Sequence, residues 1–437
     1  MDPNPWDRPV QPLTYSQTVQ SLENRGVMPD RPPSLEPMQR GLTRILGKES
    51  SDRLRGVSIN PKKVVLVAGT NGKGSTCATL ETLLLASGQT VGLYTSPHLM
   101  EPTERIRING KDILKQIFCD LYRDIAEKTM DLNLSHFEVL TLMAVSAFFL
   151  GQFYPPVSWA IFEVGLGGTW DATNAIPHQT CVITPLGLDH QNLLGNSLLE
   201  ISKNKFGIIS KKNTVIHTVL PKEVQPLADK IKTDTESQWI ESAPFQLKVD
   251  TQFEEPLFEI QTPWGTAPLA LVGERGAQNT ATALTAFHQM GFDPSQVLSS
   301  LAQVNWPGRM QKVDRSDFKC PIYFSGDHNP HGVQSLIKLL KYYSYENLWI
   351  LAGVGKEKNL DGILEPLFEC ERSHVLLTQT PFRGRTIQDY GAWLEKAHSA
   401  YQSPLDALQT IRTLAKPKDK ILVTGSLYLV GFVMAAN

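Results

Sequence analysis

A short glycine-rich loop carries the residue types that bind the phosphates of a nucleotide. Residues 68–76 follow an apolar run and precede a helical pattern. Glycines let successive backbone N–H groups turn toward phosphate oxygens, and the start of a helix adds its dipole. A lysine here reaches the β- and γ-phosphates, and a nearby hydroxyl faces magnesium. The alternative is an ordinary glycine turn, but the residue types favour an ATP cradle formed by Asn71, Gly72, Lys73, Gly74 and Ser75.

A glutamate at the end of an apolar segment is placed to hold a metal ion beside this loop. Glu163 follows the apolar residues 159–162 and precedes a glycine-rich turn. A carboxylate at the carboxyl end of a parallel strand, next to a phosphate loop, is a natural magnesium ligand. The alternative is a glutamate that is only solvated at the end of its strand. The position favours a metal ligand.

The spacing of apolar residues indicates the elements that position these groups. Residues 64–68 are continuously apolar, as in a buried parallel strand, and residues 75–86 have helical spacing. Residues 240–272 predict short antiparallel strands. Further strands are predicted at 90–94, 159–162, 180–186, 322–324, 348–352, 375–378 and 421–424. Helices are predicted at 35–46, 137–150, 198–209, 278–290, 333–340, 360–367, 386–400 and 405–414.

This alternation of strands and helices predicts an α/β protein of two domains with mostly parallel sheets. Residues 306–308, with the sequence Trp-Pro-Gly, interrupt the pattern and predict a linker. We expect residues 1–306 to form an N-terminal ATP-binding domain on a P-loop-type parallel sheet. Residues 307–437 are expected to form a smaller C-terminal Rossmann-like α/β domain.

The composition argues against several classes of protein. The 437 residues include 42 Lys and Arg against 44 Asp and Glu, so there is no basic surplus for nucleic acid. The five cysteines lack metal or disulfide spacing, which favours a reducing compartment. The longest apolar stretch, 139–150, is shorter than the roughly 20 residues that span a bilayer, and residues 1–15 lack the apolar core of a secretory signal. We expect a soluble, cytoplasmic protein that binds neither nucleic acid nor membranes.

The phosphate loop resembles that of the Mur ligase superfamily, and specifically its folylpolyglutamate synthase/dihydrofolate synthase branch. Further segments resemble the same family in the same order along the chain, over about residues 60–437. These segments are 94–99, 104–110, 137–138, 163–168, 171–174, 189–191, 307–309, 328–330 and 425–428. Such an ordered set is far more specific than the loop alone.

The resemblance implies an ATP-dependent ligase that joins L-glutamate to a pterin-bearing acid, either dihydropteroate or a reduced folate. The acid carboxylate would attack the γ-phosphate of ATP to form an acyl phosphate, from which the α-amine of glutamate displaces phosphate. Catalysis would rest on positioning and electrostatics, without a protein nucleophile. The expected cofactors are ATP and Mg²⁺, the latter as two ions. The expected partners are these small molecules, and the protein is expected to be a monomer.

The resemblance also implies roles for individual residues. Ser96, Glu163 and His190 would bind magnesium, together with a carbamylated Lys205. An ammonium group beside two magnesium ions would be repelled, whereas a carbamate offers oxygen ligands. The expected catalytic residues are Lys73, Lys205 and His190. The expected acid-binding residues are Phe137, Glu138, Trp170, Asp171 and Ala172, and the nucleotide contacts outside the loop are Asn279, Arg309, Ser325, Asp327 and His328.

Departures from the family pattern leave alternatives open. Arg275 and Gly276 stand where the family has His-Gln, and Ser325 stands where it has an aspartate that binds ATP. Either Asp327, two residues later, takes over that role, or Ser325 makes a weaker hydrogen bond and ATP affinity falls. Two other functions also remain open. One is a Mur-type amide ligase with a different acid, and the other is an ATP-binding homologue without catalysis.

Overall fold

A mostly parallel sheet is the centre of the N-terminal part of the chain. The computed structural model describes residues 13–26, 32–47, 57–382 and 384–436. The sheet contains β1 (Val64–Ala68), β2 (Val91–Tyr94), β3 (Ile106–Ile108), β4 (Lys111–Asp112), β5 (Trp159–Glu163), β6 (Thr180–Ile183), β7 (Thr214–His217) and β8 (Gln238–Glu241). The strand order is β4-β3-β2-β5-β1-β6-β7-β8, and all pairs are parallel except those that involve β3 and β4. All residues of β1 and β5 are buried, because helices cover both faces.

The helices of this part pack on the two faces of the sheet. They are α1 (Tyr15–Glu23), α2 (Glu36–Ile45), α3 (Lys73–Ala86), α4 (Lys115–Thr129), α5 (His136–Phe149), α6 (Gln191–Leu194), α7 (Leu198–Phe206), α8 (Gln225–Thr235) and α9 (Gly273–Gln289). Capping boxes begin α1, α5 and α7, at Thr14, Ser135 and Ser197 respectively. Helix α3 starts directly after the phosphate loop, so its N-terminus faces the carboxyl ends of the parallel strands.

A small antiparallel sheet follows, as the sequence predicted for residues 240–272. It consists of β9 (Gln246–Asp250), β10 (Leu257–Thr262) and β11 (Gly265–Pro268), with β10 in the middle. Alternate residues of β10 are buried, which gives this strand one apolar face. The ring of Phe258 on that strand meets Tyr342 of the C-terminal part edge-on, with centroids 5.8 Å apart. The small sheet therefore joins the two parts of the molecule.

The C-terminal part is a second α/β unit. Its strands are β12 (Arg309–Val313), β13 (Ile322–Ser325), β14 (Leu348–Ala352), β15 (Ser373–Thr378), β16 (Ser399–Tyr401) and β17 (Lys420–Thr424). Its helices are α10 (Pro330–Leu340), α11 (Leu360–Phe368), α12 (Trp393–Lys396), α13 (Pro404–Leu414) and α14 (Leu427–Ala435). The strand order is β12-β13-β17-β14-β15-β16, and only the edge strand β12 is antiparallel to its neighbour.

The segment that connects the two parts contacts the phosphate-loop helix. Strand β12 begins at Arg309, directly after the Trp-Pro-Gly sequence. The indole of Trp306 lies against Gly74, where an added Cβ would be 2.4 Å from Cζ2 of the ring. One apolar cluster also runs without a break from α3 and α9 through the small sheet to α10 and β14. The two parts therefore share packing next to the cleft between them.

The prediction of a helix over residues 386–400 is wrong. The structure has a 3₁₀ turn at Gln388–Tyr390, the single-turn α12 and the short strand β16. Gly391 causes the break, because its φ of 56° and ψ of −129° cannot continue a helix. The prediction about a secretory signal falls largely on residues 1–12, outside the described residues. In the described ranges, no helix combines the length and apolarity needed to pass through a bilayer.

Candidate active site

The phosphate loop is shaped by two glycines with positive φ. Gly72 has φ +86°, and an added Cβ would lie 2.2 Å from Oδ1 of Asn279. Gly69 has φ +147°, and its Cβ would collide with Thr184. Lys73 follows at the first position of α3, with Nζ 3.3 Å from the carbonyl oxygen of Gly69. Asn279 therefore lies beside the loop, and its contact with the nucleotide stays a prediction.

A buried carboxylate lies beside this loop. Glu163 is 4% exposed, and its Oε2 accepts a 3.0 Å hydrogen bond from the backbone N–H of Ser96. Burial raises its pKa above the usual value, although the nearby charge of Lys73 opposes that shift. Within the described residues, Glu163 forms no ion pair. A buried carboxylate with little compensation is suited to a metal cation.

Lys205 and His190 lie near the same lysine. Nζ of the buried Lys205 donates a 2.8 Å hydrogen bond to the carbonyl oxygen of Gly69. Burial, followed by the charge of Lys73, lowers the pKa of Lys205 to about 7. Burial also lowers the pKa of His190 to about 4, so its imidazole is neutral near pH 7 and available as a ligand. Lys205 and Lys73 thus meet at the carbonyl oxygen of Gly69, and the charge of Lys73 also acts on Glu163 and His190.

Glu163 and His190 alone do not supply enough ligands for magnesium, so other side chains would have to contribute oxygen atoms. In the described part of the chain, no three His, Cys, Asp or Glu residues come together as a metal site. Glu163 and His190 would need the hydroxyl of Ser96 and an oxygen donor on Lys205 to complete a set of ligands. Oxygen donors are those that Mg²⁺ prefers, and water completes its sphere.

The residues expected to bind the acid lie beside β2 and β5. Phe137 packs on Tyr94 with ring centroids 5.7 Å apart, and it touches Gly165. Trp170 is 57% exposed, so its indole is accessible to a ligand. Asp171 is buried, and its Oδ2 accepts hydrogen bonds from the backbone N–H groups of Gly165 and Leu166, both 3.0 Å.

Two of these residues, Asp171 and Glu138, also stabilise the local backbone through hydrogen bonds. Asp171 orders the glycine-rich turn after β5, and its Oδ1 accepts from the backbone N–H of Thr173 at 3.0 Å. Glu138 closes the capping box of α5 with Ser135, at 2.8 Å between Oε2 and the serine hydroxyl. Ala172 is buried at the start of a 3₁₀ turn. Their contact with an acid stays a prediction.

A cleft separates the phosphate loop from the C-terminal part. Most of the expected nucleotide residues line it, namely Asn71, Gly72, Ser75, Asn279, Arg309, Ser325 and Asp327. His328 lies beside Asp327, and its Nδ1 is 2.8 Å from the carbonyl oxygen of Gly326. The half-buried Arg309 contacts the carbonyl oxygen of Gly308 through Nη1, at 3.1 Å.

An ion pair crosses the cleft where the sequence departs from the family pattern. Nη1 and Nη2 of Arg275, on α9, donate to Oδ1 and Oδ2 of Asp327 at 2.7 and 2.9 Å. The hydroxyl of Ser325 donates to Oδ2 of Asp327 at 2.7 Å. Burial alone would raise the pKa of Asp327, but Arg275 holds it below its usual value. The two departures, Arg275 and Ser325, thus meet on one carboxylate.

Sequence reasoning missed further contacts across the cleft. Nζ of Lys358 donates to Oδ1 of Asp189 at 2.7 Å. Nδ2 of Asn329 donates to Oδ1 of Asn71 at 3.0 Å, and Nδ1 of His331 lies 3.1 Å from Nδ2 of Asn71. These pairs are more than 160 residues apart in the sequence. Asp189 and Asn329 belong to the recognised motif segments 189–191 and 328–330, but no local pattern reveals which residue each will contact.

Replacing Asp327 by asparagine tests whether it serves the nucleotide. We expect the KM for ATP to rise about tenfold, because a charged hydrogen-bond acceptor in the cleft becomes neutral. The KM for L-glutamate should not change. The loss of the ion pair should also lower the melting temperature at neutral pH. Because Asp327 has a lowered pKa in the fold, this stabilisation is lost as the pH falls through that pKa.

Steady-state kinetics and a double-mutant cycle with Arg275→Ala would measure both effects. A coupling energy of about 1–3 kcal/mol is expected for a close charge pair. If Asp327→Asn behaves as the wild type and Ser325→Asp lowers the KM for ATP, Asp327 does not compensate and the nucleotide site is simply weakened.

The C-terminal unit and the whole chain both match known proteins. Residues 308–427 match the family model described as "Mur ligase, glutamate ligase domain". The phosphate loop, the second α/β unit and the cleft between them thus define an ATP-dependent ligase of the Mur type. Dihydrofolate synthase/folylpolyglutamate synthase of Buchnera aphidicola subsp. Baizongia pistaciae is 33% identical over 384 residues, which are 86% of each chain. The chain belongs to the dihydrofolate synthase/folylpolyglutamate synthase family.

Other relatives and solved structures agree with this assignment. The Escherichia coli dihydrofolate synthase/folylpolyglutamate synthase is 32% identical over 85% of this chain and 86% of its own length. The structure of E. coli FolC in complex with DHPP and ADP has a TM-score of 0.81 and 28% identity, and covers 98% of this chain and 99% of its own. Mycobacterium tuberculosis folylpolyglutamate synthase complexed with ADP has a TM-score of 0.84 and 26% identity, over 97% and 98%.

Proposed function

We propose that this ligase joins the α-amine of L-glutamate to the carboxylate of a pterin acid, with cleavage of ATP to ADP and phosphate. The acid would be dihydropteroate, a reduced folate or both. The observation that carries the proposal is the cleft, in which a phosphate loop on one side faces Arg309 and Asp327 on the other. Two solved relatives named above contain ADP, and one of them also contains DHPP.

The reaction divides into two displacements. A carboxylate oxygen of the acid attacks the γ-phosphorus, an O–P bond forms, and the bond to the leaving ADP breaks. The glutamate amine then attacks the acyl carbon, and phosphate leaves as the amide forms. Lys73 and Arg309 would offset the charge that develops on the transferred group, and the loop N–H groups would hold the other phosphates. Magnesium, when bound, adds further charge neutralisation at the phosphates.

We propose that Ser96, Glu163, His190 and a carbamylated Lys205 hold magnesium, as two ions. The buried Glu163 and Lys205 and the neutral His190 around Lys73 support this assignment. The remaining site assignments, including Trp170 and Phe137 as partners of the pterin, are part of the same proposal. A domain boundary at 306/307 and a monomeric state without nucleic acid stay predictions of the sequence.

A phosphate-release assay tests the function directly. Purified protein with ATP and Mg²⁺ is given dihydropteroate, a tetrahydrofolate or an unrelated acid, each with L-glutamate or another amino acid. Phosphate should be released only when a pterin acid and L-glutamate are both present, and the amide should be detected by mass spectrometry. Turnover only with an unrelated acid would indicate a different Mur-type ligase. ATP binding without any turnover would indicate a non-catalytic homologue.

The modification of Lys205 predicts a dependence on bicarbonate and pH. A carbamate forms when the neutral amine attacks carbon dioxide and loses a proton, so a pKa of about 7 makes the reaction favourable above that pH. Occupancy should fall as the pH drops below about 7. With ¹³C-bicarbonate, a carbamate carbonyl resonance should appear in the wild type and disappear in Lys205→Ala.

The exposed Lys203, two residues earlier on the same helix, supplies the control. Lys203→Ala should retain both the resonance and the activity, whereas Lys205→Ala should lose both. An unmodified Lys205 at high bicarbonate, found by intact mass in a fully active sample, would contradict the assignment.

A further inference from the structure

Arg105 is a buried cation whose visible partner is neutral. It ends a 3₁₀ turn at Pro102–Arg105 and is 9% exposed. Its Nε donates a 2.9 Å hydrogen bond to Nδ1 of His98. A guanidinium can only donate, so Nδ1 of His98 accepts and the proton lies on Nε2. Burial and the charge of Arg105 lower the pKa of His98 to about 3, so this imidazole does not offset the positive charge.

The nearest acidic side chains are engaged elsewhere. Both oxygens of Glu104 accept hydrogen bonds from the backbone N–H groups of residues 99–101, at 2.7–2.9 Å. Glu163 accepts from Ser96 and is the proposed magnesium ligand. Among the described residues, Arg105 forms no ion pair with a carboxylate. Burial of an unpaired charge is unfavourable, and it lowers the pKa of Arg105 below its usual value.

Arg107, two residues later in the same segment, has a structural role and serves as a comparison for Arg105. Its Nη2 lies 3.2 Å from Oε2 of the buried Glu81 and donates to the carbonyl oxygen of Gly110 at 3.0 Å. This ion pair links β3 to α3 within the N-terminal part. Arg107 therefore forms an ion pair with a carboxylate inside the protein, whereas Arg105 forms none among the described residues.

The position of Arg105 indicates which ligand would neutralise its charge. The carbonyl oxygen of Arg105 accepts a 2.9 Å hydrogen bond from the backbone N–H of Thr95, which precedes Ser96, the residue that donates to Glu163. Ile106, the next residue after Arg105, pairs with Tyr94 across strands β3 and β2. His136 is also near, and it precedes Phe137, which packs on Tyr94. Arg105 thus lies between the proposed magnesium ligand and the proposed pterin site. An acid that awaits phosphorylation must place its carboxylate between those two points.

We propose that Arg105 binds the reacting carboxylate of the acid substrate and orients it toward the γ-phosphate. The guanidinium fork matches a carboxylate in two parallel hydrogen bonds. The location on the N-terminal side, beside His136 and Phe137, favours the acid over the incoming amino acid. This inference rests on the proposed function, and it adds a residue to which no role has been given above.

Arg105→Met tests the inference, because methionine keeps much of the length and removes the charge. Binding of dihydropteroate is measured in the presence of ADP, without turnover, through the change in intrinsic fluorescence. Affinity should fall about 10- to 100-fold, the loss expected for a charge-assisted hydrogen-bonded pair. The melting temperature without ligand should be unchanged or higher, because an unpaired buried charge has been removed. Arg105→Lys keeps the charge without the fork and should give an intermediate loss.

Arg107→Met is the matched control and should show the opposite behaviour. Its melting temperature should fall, because Glu81 loses its partner, while the affinity for dihydropteroate stays within about twofold of the wild type. The inference is overturned if Arg105→Met and the wild type bind dihydropteroate equally, or if only the KM for L-glutamate rises. If the wild type itself binds neither dihydropteroate nor tetrahydrofolate, the proposed function fails as well.

Discussion

Replacing Lys73 by alanine should lower ATP-dependent ligation by about 10²- to 10³-fold, the cost of removing one preorganised charge donor from a phosphoryl-transfer site. Nζ of Lys73 lies against the carbonyl oxygens of the phosphate loop, at the start of α3. Within the described residues it forms no ion pair, so phosphate is its natural counter-charge. Phosphate release under saturating ATP measures the effect.

Thermal unfolding separates this loss from damage to the fold. Lys73 is half-buried at the first position of α3 and contributes little to the core, so the melting temperature of Lys73→Ala should stay near that of the wild type. Lys62→Ala is the control, because Lys62 is an exposed lysine just before β1. A Lys73→Ala variant with near-normal turnover would refute the assignment of the phosphate loop.

Glu163→Gln should reduce turnover by on the order of 100-fold at limiting magnesium, and rising magnesium should restore part of it. Glutamine keeps the shape of the side chain and its hydrogen bond from Ser96, but removes the charge that attracts the metal. A titration of activity with Mg²⁺ measures the shift. Unchanged turnover at limiting magnesium would show that Glu163 is not a ligand.

The same variant should be more stable without metal. The pKa of Glu163 is raised by burial, so the ionised carboxylate destabilises the fold once the pH exceeds its ordinary value. At pH 7, metal-free Glu163→Gln should therefore melt at a higher temperature than the wild type. Glu81→Gln is the control, because Glu81 is equally buried but paired with Arg107. Because burial raises the pKa of Glu81 as well, despite the nearby charge of Arg107, this variant controls for magnesium dependence, which should be unchanged.

The sequence predicted the main sheet elements well because their signals are local. The five apolar residues of β1, the glycine-rich loop and the apolar face of the next helix lie within about 25 residues of one another. The strands β13, β14 and β17 are likewise short runs of mostly apolar, buried residues. Local signals failed at residues 386–400, where the spacing is helical but Gly391 ends any helix.

The candidate site was only partly predictable, for a different reason. Lys73 and Glu163 stand out because loop chemistry and strand-end position can be read from neighbouring residues. The pairing of Arg275 with Asp327 depends on two domains facing each other, over a separation of 52 residues. The unpaired state of Arg105 is equally invisible in the sequence, since Arg107 lies in the same short segment and is paired. The tertiary structure decides which charged residues form pairs.

The contact between Gly74 and Trp306 restricts the order in which this phosphate loop could evolve. A side chain at position 74 would overlap the indole, with Cβ 2.4 Å from Cζ2. A change at 74 is tolerated only after position 306 has become smaller, and a smaller residue at 306 first leaves a cavity beside α3. Each single step is therefore harmful, although the pair together need not be. The two positions are epistatic, and engineering of the loop should vary both in one library.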